Sequence, residues 1–409
     1  MAGLFVTDPQ SMSHRQIAAA YADPNGSGRV GCLRLVQVDG NLGVTLGAAV
    51  TTTAVNEELF WLAAGAFQGG RSSTDPERLR LTGRRRTRIV RHIRRQAGRH
   101  NKRGSHMAKV LVIGGSGFVS GTVARAAVAA GHQTWVVTRG QREVPAGVTA
   151  LVADRKDRPA FAETIASAGT DWDVVYDCIG YFADDARQDV ELFRDRTPHL
   201  GFISTDFVYD PPHRKVPQPE DTEYYLTDDS YGANKRRCEL ELINGDTGDM
   251  KWTIIRPCHI YGPGSELGCL PKHGRDPQLL RRIREGEPLE LVGAGYFLQQ
   301  PIFVRDLAAF FLSIMGNANS YGQIYNMYGP DIIQSRDYYE MVAEVLGTRA
   351  KIAELPVDRY REEHPEHVSF LCHRVATLDK MRAHGLAVPS TPFAEGIVEH
   401  TKDRIAAGR

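Results

Sequence analysis

The sequence predicts a doubly wound α/β fold, in which helices cover both faces of a parallel sheet, with a smaller C-terminal substrate subdomain. Two observations predict it. From residue 107 onward, short continuous apolar runs alternate with helical segments, which is typical of strands that are buried on both faces. The first of these runs leads directly into a glycine-rich loop and a helix, the arrangement of a ligand-binding crossover in such folds.

The predicted strands follow one another at regular intervals along the chain. They cover residues 108–114, 133–138, 148–154, 173–180, 200–206 and 252–257. A helix is predicted over residues 123–131, where it ends at a glycine. Because helical segments separate the strands, each connection is a crossover, and the strands are predicted to lie parallel. We place the nucleotide-binding core in residues 107–260. Residues 261–409 then form mainly the substrate subdomain, with part of that chain returning to the core.

Residues 1–106 differ from the rest of the chain in hydrophobic periodicity and in charge, and we treat them as a separate leader. One strand is predicted at 31–38, and no paired periodicity able to close a core is visible. Residues 78–103 contain eleven Arg and one Lys and no acid. Three interpretations stay open: a basic arm for nucleic acid, a solvated extension kept open by charge repulsion, or a translated upstream segment with the start at Met107. The GSHM at 104–107 also resembles the remnant of a cleaved tag.

Composition excludes several classes of protein. The net charge is only +1, and residues 104–409 hold 34 basic against 42 acidic side chains, so we expect no nucleic-acid binding by the body of the protein. The most apolar stretch, 43–68, is interrupted by Asn56, Glu57 and Glu58, so no membrane span is expected. The six cysteines form no CxxC pair and no secretory signal is visible, which favours a reducing cytoplasm, packed thiols and no metal site.

The loop GGSGFVSG at 114–121 is the predicted phosphate-binding turn. Gly114 would permit the tight turn, and Gly117 would let the backbone approach a pyrophosphate at the positive N-terminus of the next helix. Ser120 stands where the third glycine of the usual spacing would be, and its small side chain still allows close packing. The predicted cofactor contacts in this loop are Gly114, Ser116, Gly117, Phe118 and Val119.

The ends of the second and third strands indicate which dinucleotide binds. An NAD-preferring site carries an acid roughly 20 residues after the glycine loop, whereas this strand ends in Thr138 and Arg139. An arginine there suits a 2′-phosphate, so the expected cofactor is NAD or NADP, with a preference for NADP. Arg139 as a solvated strand end is the alternative. Asp154 is a candidate partner for adenine or, alternatively, a residue that caps its loop.

The catalytic candidates follow the fifth strand. Thr205 lies at its carboxyl end, and YGANK at 231–235 places Tyr231 and Lys235 on one helical face. A neighbouring ammonium favours tyrosinate, so we expect Lys235 to lower the phenol pKa and to make Tyr231 a proton donor and acceptor near neutral pH. Thr205 would orient the substrate hydroxyl or carbonyl, and Lys235 would also contact the cofactor ribose.

In their order along the chain, the motifs resemble those of extended short-chain dehydrogenases/reductases of the NAD-dependent epimerase/dehydratase family. The resemblance covers residues 107–409 and rests on GGSGFVSG, VVYDCIG, STDFVYD, YGANK, RPCHIYGPG and PIFVRDLA. It implies a Rossmann domain with bound NAD(P), hydride transfer at a sugar-like carbinol and frequent homodimers. It assigns the catalytic roles to Thr205, Tyr231 and Lys235, and it places the loop at Pro257 near the nicotinamide. Cys178 is a further candidate for contact with the nicotinamide pocket. Packing of Cys178 in the core is the alternative.

Two departures from the family pattern narrow the chemistry. Dehydratases resemble STDEVY, and Phe207 stands here in place of the proton-exchanging glutamate. Gln299 stands where many nucleotide-sugar enzymes have an arginine, which puts a diphosphate-linked substrate in doubt. Asp206 and His259 are further candidates for substrate contact, with structural roles as the alternative for both. We therefore expect an epimerase or ketoreductase acting on a sugar, a nucleotide sugar or a related small molecule.

A second hypothesis comes from a different class of protein. The VTRG strand end, VVYDCIG and the glutamines before VRDLA resemble the branch that contains the chloroplast stem-loop RNA-binding proteins. Together with the basic run at 78–103, this resemblance suggests a non-catalytic RNA-associated protein on a Rossmann scaffold. The intact YxxxK pattern favours the enzyme.

Overall fold

The computed structural model describes residues 107–169 and 171–408, together with the backbone of three leader strands. Residues 1–102 and 103–409 form two compact units. The leader strands β1 (Gln16–Ala22), β2 (Val30–Val38) and β3 (Asn41–Leu46) pair antiparallel in that order. The strand predicted at 31–38 is confirmed. Its two partners were not predicted, because their Ala and Gly residues have low strand propensity. The basic run at 78–103 lies outside the described residues.

In the second unit the strands and helices alternate as the sequence predicts. The strands are β4 (Lys109–Ile113), β5 (Gln133–Thr138), β6 (Thr149–Val152), β7 (Val174–Asp177), β8 (His199–Ile203), β9 (Lys251–Pro257), β10 (Ile260–Tyr261), β11 (Pro288–Val292), β12 (Leu298–Gln299), β13 (Ile302–Phe303), β14 (Gln323–Met327), β15 (Ile333–Gln334) and β16 (Lys351–Leu355). The helices are α1 (Phe118–Ala129), α2 (Arg158–Ala168), α3 (Ala183–Phe193), α4 (Tyr231–Asn244), α5 (Leu279–Glu285), α6 (Val304–Ile314), α7 (Ser335–Val345), α8 (Val357–Glu363), α9 (Asp379–Ala383) and α10 (Phe393–Ala406). None of the described helices is long and apolar enough to cross a membrane.

Seven of these strands form one parallel sheet in the order β14-β9-β8-β7-β4-β5-β6. The order reverses between β4 and β7, and ligands of such sheets bind in the crevice at the carboxyl ends beside this reversal. Six of the seven strands match predicted ones. The seventh strand, β14, was not predicted.

Helices cover both faces of the sheet, which explains the continuous apolar strands. Along β4, Val110 and Val112 belong to the core under α1 and α6, whereas Leu111 and Ile113 belong to the core under α2, α3 and α4. All four side chains are fully buried. Since successive side chains of a strand point to opposite faces, a strand covered on both faces has no side chain directed to solvent and is mostly apolar.

The chain after β9 builds a smaller layer and then returns to the sheet. In the smaller layer β11 pairs parallel with β16, and α5, α7 and α10 pack around a third apolar core. Between these elements α6 and β14 rejoin the central sheet, where β14 pairs with β9. Residues of the C-terminal half, in α6 and β14, therefore contribute to the core that the N-terminal half forms.

The turn after β4 predicts a large effect of one substitution. Gly115 has φ +93°, and an added Cβ would lie 2.3 Å from Cβ of Val136. We expect Gly115→Ala to cost about 2–5 kcal/mol in the free energy of unfolding, because backbone strain and overpacking add together. Gly131→Ala is the matched control, since Gly131 has φ +82° but no atom within 4 Å of the added Cβ. Urea denaturation measures both, and equal losses would contradict the steric argument.

Candidate active site

Two adjoining cavities open at the carboxyl ends of the parallel strands. The first has a volume of about 490 Å³ and the second about 440 Å³. Both are lined by Gly117, Ser120, Ile179 and Tyr181, so the glycine loop and the loop after β7 form the junction between them. An elongated ligand that passes this junction would contact the N-terminal end of α1.

The glycine loop has the geometry expected of a phosphate-binding turn. Gly114 has φ +117°, and α1 begins after Gly117, whose backbone is extended. Ser120 is buried, and its hydroxyl accepts a hydrogen bond from the amide of Gly117 at 3.2 Å. The serine in place of the third glycine thus stabilises the loop without widening it. The first turn of α1 contains no acidic residue that would compete for an anion.

The first cavity brings together the residues predicted to select the dinucleotide. Gly114, Ser116, Thr138, Arg139 and Asp154 all line it. Asp154 accepts a hydrogen bond from the amide of Lys156 at 3.0 Å, so it caps its loop while it also faces the cavity. Other residues of the lining were missed, because no motif marks them: Gln141, Arg142, Arg155 and Lys156.

The second cavity brings together most of the predicted catalytic residues. Those that line it are Phe118, Val119, Cys178, Thr205, Phe207, Tyr231, Lys235, Pro257 and His259. Two charged residues of its lining were not predicted as site residues, Arg374 and Arg275. Arg374 lies in a segment without a recognisable motif. Arg275 lies in the loop between β10 and α5, beyond the RPCHIYGPG motif.

Thr205, Tyr231 and Lys235 meet where α4 starts against the end of β8. Ser230 caps α4 by accepting a hydrogen bond from the amide of Ala233. Gly232 permits the close approach, since a Cβ there would lie 2.0 Å from the carbonyl oxygen of Phe207. Thr205 and Tyr231 both line the second cavity, and the threonine side chain acts on the phenol, whose pKa it lowers. The arrangement therefore places the phenol beside the threonine hydroxyl.

The expected effect of Lys235 on Tyr231 was wrong for this structure. Although half of Tyr231 is exposed, desolvation of its phenol by the surrounding protein raises its pKa to about 12. Neighbouring Tyr181 adds to this effect, and Thr205 opposes it. Lys235 is fully buried, and its ammonium donates hydrogen bonds to the carbonyl oxygens of Gly180 and Ile203. The ammonium therefore links the end of β8 to the loop after β7. Burial lowers the pKa of Lys235 itself.

The turn that supplies Gly180 is itself held by a buried carboxylate. Asp177, at the end of β7, accepts hydrogen bonds from the amides of Ile179 at 2.7 Å and Gly180 at 2.9 Å. Its other oxygen accepts one from Arg155 at 2.9 Å, and Arg155 also contacts buried Asp189. Burial raises the pKa of Asp189 well above its usual range, whereas Arg155 and the hydrogen bonds outweigh burial and lower the pKa of Asp177. One buried network thus connects the first cavity with Lys235.

Asp206 does not line the second cavity, in contrast to its predicted contact with substrate. It is fully buried, and Arg374 donates to both of its oxygens, at 2.7 Å from Nε and 2.5 Å from Nη2. Tyr328 donates a third hydrogen bond at 3.0 Å, and Arg214 forms an ion pair at 3.3 Å. Although burial opposes ionisation, these partners outweigh it and lower the pKa of Asp206. The carboxylate is an anchor for Arg374, which does line the cavity.

The remaining predicted site residues are either buried away from the cavity or uncharged. Gln299 is buried in β12 and does not line the cavity. Burial lowers the pKa of His259 to about 3, so its imidazole is neutral at physiological pH. Burial raises the pKa of the Cys178 thiol, which suits a packed thiol. Outside both cavities, His364, Glu366 and His367 bring three potential metal-ligand atoms within 4.8 Å of one another on the surface.

Comparison with known proteins assigns the chain to a family. Residues 110–327 match the model of the NAD dependent epimerase/dehydratase family. The chain belongs to this family. The matched residues run from β4 to β14 and therefore include the whole seven-stranded sheet, the glycine loop and the cavity residues Thr205, Tyr231 and Lys235.

The proteins to which the chain is similar differ in what their names describe. The chain is 27% identical over 236 residues to the chloroplast stem-loop binding protein of 41 kDa b from Arabidopsis thaliana, and the match spans 54% of this chain and 58% of that protein. The solved UDP-glucose 4-epimerase of Thermus thermophilus, in complex with NAD, is 21% identical with a TM-score of 0.59 and covers 73% of this chain and 99% of its own. The dTDP-glucose 4,6-dehydratase of Bacillus anthracis, also with NAD, is 15% identical with a TM-score of 0.60 and covers 73% and 97%. These structures share the fold.

The residues present fit a nicotinamide dinucleotide. The N-terminal end of α1 and the amides of the glycine loop lie at the junction of the cavities, where they suit a pyrophosphate. An added Cβ at Gly114 would lie 3.0 Å from Cβ of Ser120 and 3.2 Å from Cγ2 of Ile179, so any side chain would crowd this turn. The first cavity is open for the adenosine half and the second for the nicotinamide half.

Proposed function

We propose that the protein is an NADP-dependent epimerase or ketoreductase that acts on a hydroxyl or keto carbon of a small sugar-like molecule. The observation that carries the proposal is that Thr205 and Tyr231 line the second cavity together with Lys235, whose side chain is buried. This cavity adjoins the one lined by the glycine loop. A proton-exchanging phenol beside a dinucleotide cavity is the arrangement that carbonyl–alcohol interconversion needs.

The bound dinucleotide would supply the hydride donor or acceptor, and the protein would move the proton. Because the pKa of Tyr231 is raised to about 12, its hydroxyl carries a proton in the resting protein and is ready to donate it to a substrate carbonyl oxygen. Thr205 would hold that oxygen through a second hydrogen bond. Lys235, fixed by the carbonyl oxygens of Gly180 and Ile203, would keep the end of β8 and the loop after β7 at a constant separation.

Elimination of water is not part of the proposal. Phe207 lines the second cavity, and its ring packs 5.2 Å from the ring of Phe370 and 4.3 Å from the guanidinium of Arg374. A phenyl ring has no proton to exchange. The carboxylate that follows Thr205 is Asp206, which Arg374 and Tyr328 hold out of the cavity.

The preference for NADP rests on the charge of the first cavity. Arg139, Arg142 and Lys156 line it, and Arg139 is exposed without an ion-pair partner among the described residues. We expect Arg139→Gln to weaken NADPH binding about tenfold and to leave NADH binding unchanged, because one charge-assisted contact to the 2′-phosphate is lost. Fluorescence titration of the reduced cofactors measures this. Equal weakening for both cofactors would contradict the assignment of Arg139.

The proposed function is tested by cofactor uptake followed by turnover. Native mass spectrometry of gently purified protein should find a retained dinucleotide or show uptake of NADPH. A retained dinucleotide favours an epimerase, which regenerates its cofactor, whereas stoichiometric consumption of NADPH with a keto-sugar panel favours a reductase. Failure to bind either dinucleotide would overturn the proposal.

A second candidate function is RNA binding, which the similarity to a chloroplast stem-loop binding protein favours. Residues 104–409 have more acidic than basic side chains, so electrostatic attraction to an RNA backbone would come from the basic run at 78–103. RNA affinity that falls steeply with salt and disappears when residues 1–106 are deleted would support this function. No binding at low salt would exclude it.

A further inference from the structure

The second cavity has an unusual charge for a site that binds a neutral sugar. Among its described lining residues no Asp or Glu occurs, whereas Lys235, Arg275 and Arg374 each carry a positive charge. Lys235 is occupied by two carbonyl oxygens. The two arginines therefore decide which ligand charge the cavity accepts.

Arg374 lines the cavity with a buried side chain, and one of its three guanidinium nitrogens has no hydrogen-bond partner. It is 1% exposed, and its Nε and Nη2 donate to Asp206. Its Nη1 is buried and has no hydrogen-bond acceptor among the described residues. A buried donor without a partner is costly, so a ligand acceptor in the cavity would stabilise this guanidinium. Asp206 holds the planar group in one orientation, which makes it a preorganised donor.

The charge behind Arg374 is not balanced. Asp206 is the carboxylate that Arg374 and Arg214 share, and both arginines are almost fully buried. The three groups thus carry one positive charge in excess, within a region that water does not reach. An uncompensated buried charge is unfavourable, and an anion bound at the cavity wall would compensate it.

Arg275 provides the second, exposed contact. It lines the same cavity but comes from a different part of the chain than Arg374, the loop between β10 and α5, where its φ is +57°. Its charge reaches Tyr231, Tyr181 and His259, and Arg374 also acts on His259. Arg275 therefore acts on the phenol that would exchange the proton, and both arginines act on His259 in the same cavity.

We infer that the substrate of this cavity is a compact anion, whose carboxylate or phosphate is received by Nη1 of Arg374 together with Arg275. The cavity of about 440 Å³ has to hold the nicotinamide half of the cofactor as well, which leaves room for a small acid and not for a nucleotide sugar. The assignment presupposes that this cavity is the substrate half of the proposed enzyme. It names the substrate class as an acidic sugar or a sugar phosphate.

The test is calorimetric titration of the full chain saturated with NADP, so that the glycine loop is filled. The probes are inorganic phosphate, D-glucuronate and neutral D-glucose at constant ionic strength. We expect the anions to bind and glucose not to bind, and the tighter of the two anions distinguishes phosphate from carboxylate. Arg275→Gln should weaken anion binding about fivefold or more. Arg374→Lys should have a similar effect, because a lysine keeps a positive charge for Asp206 but has no second nitrogen that can donate to the ligand.

Arg281→Gln is the matched control, because Arg281 is exposed on α5, outside the cavity lining, and pairs with Glu285 and Glu287. It should bind the anions as the unchanged protein does. Glucose binding as strong as that of either anion, the absence of anion binding, or equal anion affinity in the Arg275 and Arg281 variants would each overturn the inference. If the protein takes up no dinucleotide, the proposed function fails, and the same titration without NADP still tests the anion site through Arg275→Gln.

Discussion

Replacement of Tyr231 by Phe should reduce turnover by about 10²–10⁴-fold while dinucleotide affinity stays the same. The change removes only the hydroxyl that lines the second cavity together with Thr205, and loss of a positioned proton donor typically costs this much. The ring stays in place against Tyr181, at 6.4 Å between centroids. Initial rates with a turned-over substrate and fluorescence titration of NADPH measure the two quantities separately.

The matched control is Tyr224→Phe. Tyr224 is exposed to a similar degree as Tyr231, at 47% against 50%, stacks on His213 and does not line the second cavity. It should leave turnover unchanged. Full activity of the Tyr231 variant would remove the phenol from the mechanism, and a parallel loss of cofactor affinity would assign it a binding role instead.

The raised pKa of Tyr231, about 12 because of desolvation by the surrounding protein, also predicts a pH dependence. Alcohol oxidation needs the deprotonated phenol as base, and this form becomes more abundant as pH rises toward the pKa. We therefore expect kcat/KM for oxidation to rise throughout the range from roughly pH 6 to pH 10, and kcat/KM for reduction to stay level, since kcat/KM reports the free enzyme. A plateau of the oxidation rate near neutral pH would contradict this assignment.

The second large effect concerns stability. Glu239→Ala should lower the free energy of unfolding by about 3–5 kcal/mol, the usual cost of removing one partner of a buried ion pair. Glu239 and Arg256 are both fully buried and are joined at 2.8 and 2.7 Å. The carboxylate also accepts hydrogen bonds from Ser204 at 2.6 Å and Arg236 at 2.8 Å. Without it, Arg256 keeps a buried charge that has lost its carboxylate partner.

Glu241→Ala on the same helix is the control. Glu241 pairs with Arg187 near the surface, and such pairs contribute about 0.2–1 kcal/mol. Denaturation as a function of pH adds a second readout. Although burial opposes ionisation of Glu239, Arg256 and the hydrogen bonds outweigh it and lower its pKa. Its stabilisation is therefore present above the ordinary glutamate pKa and is lost as pH falls below it. Equal losses in both variants would contradict the role of burial.

The sequence predicted the elements whose signal is local. Six strands of the central sheet, the glycine loop and the cavity residues around Tyr231 follow from apolar runs and short motifs. β14 was missed because its strand, QIYNM, contains the polar residues Gln323 and Asn326. Asn326 is buried, where its amide accepts from Tyr209 and donates to the carbonyl oxygen of Gln218.

Residues whose roles depend on distant partners could not be predicted. Arg374 and Asp206 are separated by 168 residues along the chain, and nothing near either of them marks the pair. For the same reason Asp206 was expected to contact substrate. The predicted decrease in the pKa of Tyr231 failed because helical spacing places Lys235 near Tyr231 but does not show that Gly180 and Ile203 bind its ammonium.

The return of β14 to the sheet has a consequence for biosynthesis. β9 ends at Pro257, and β14, its outer neighbour, begins at Gln323, about 65 residues later, which is several seconds of synthesis at roughly 5–20 residues per second. During this interval the nascent sheet ends in β9, an apolar strand with an unpaired edge that favours aggregation. We therefore expect translation that pauses between these two strands to expose the newly made chain to chaperones, and a chain terminated before residue 323 to be insoluble.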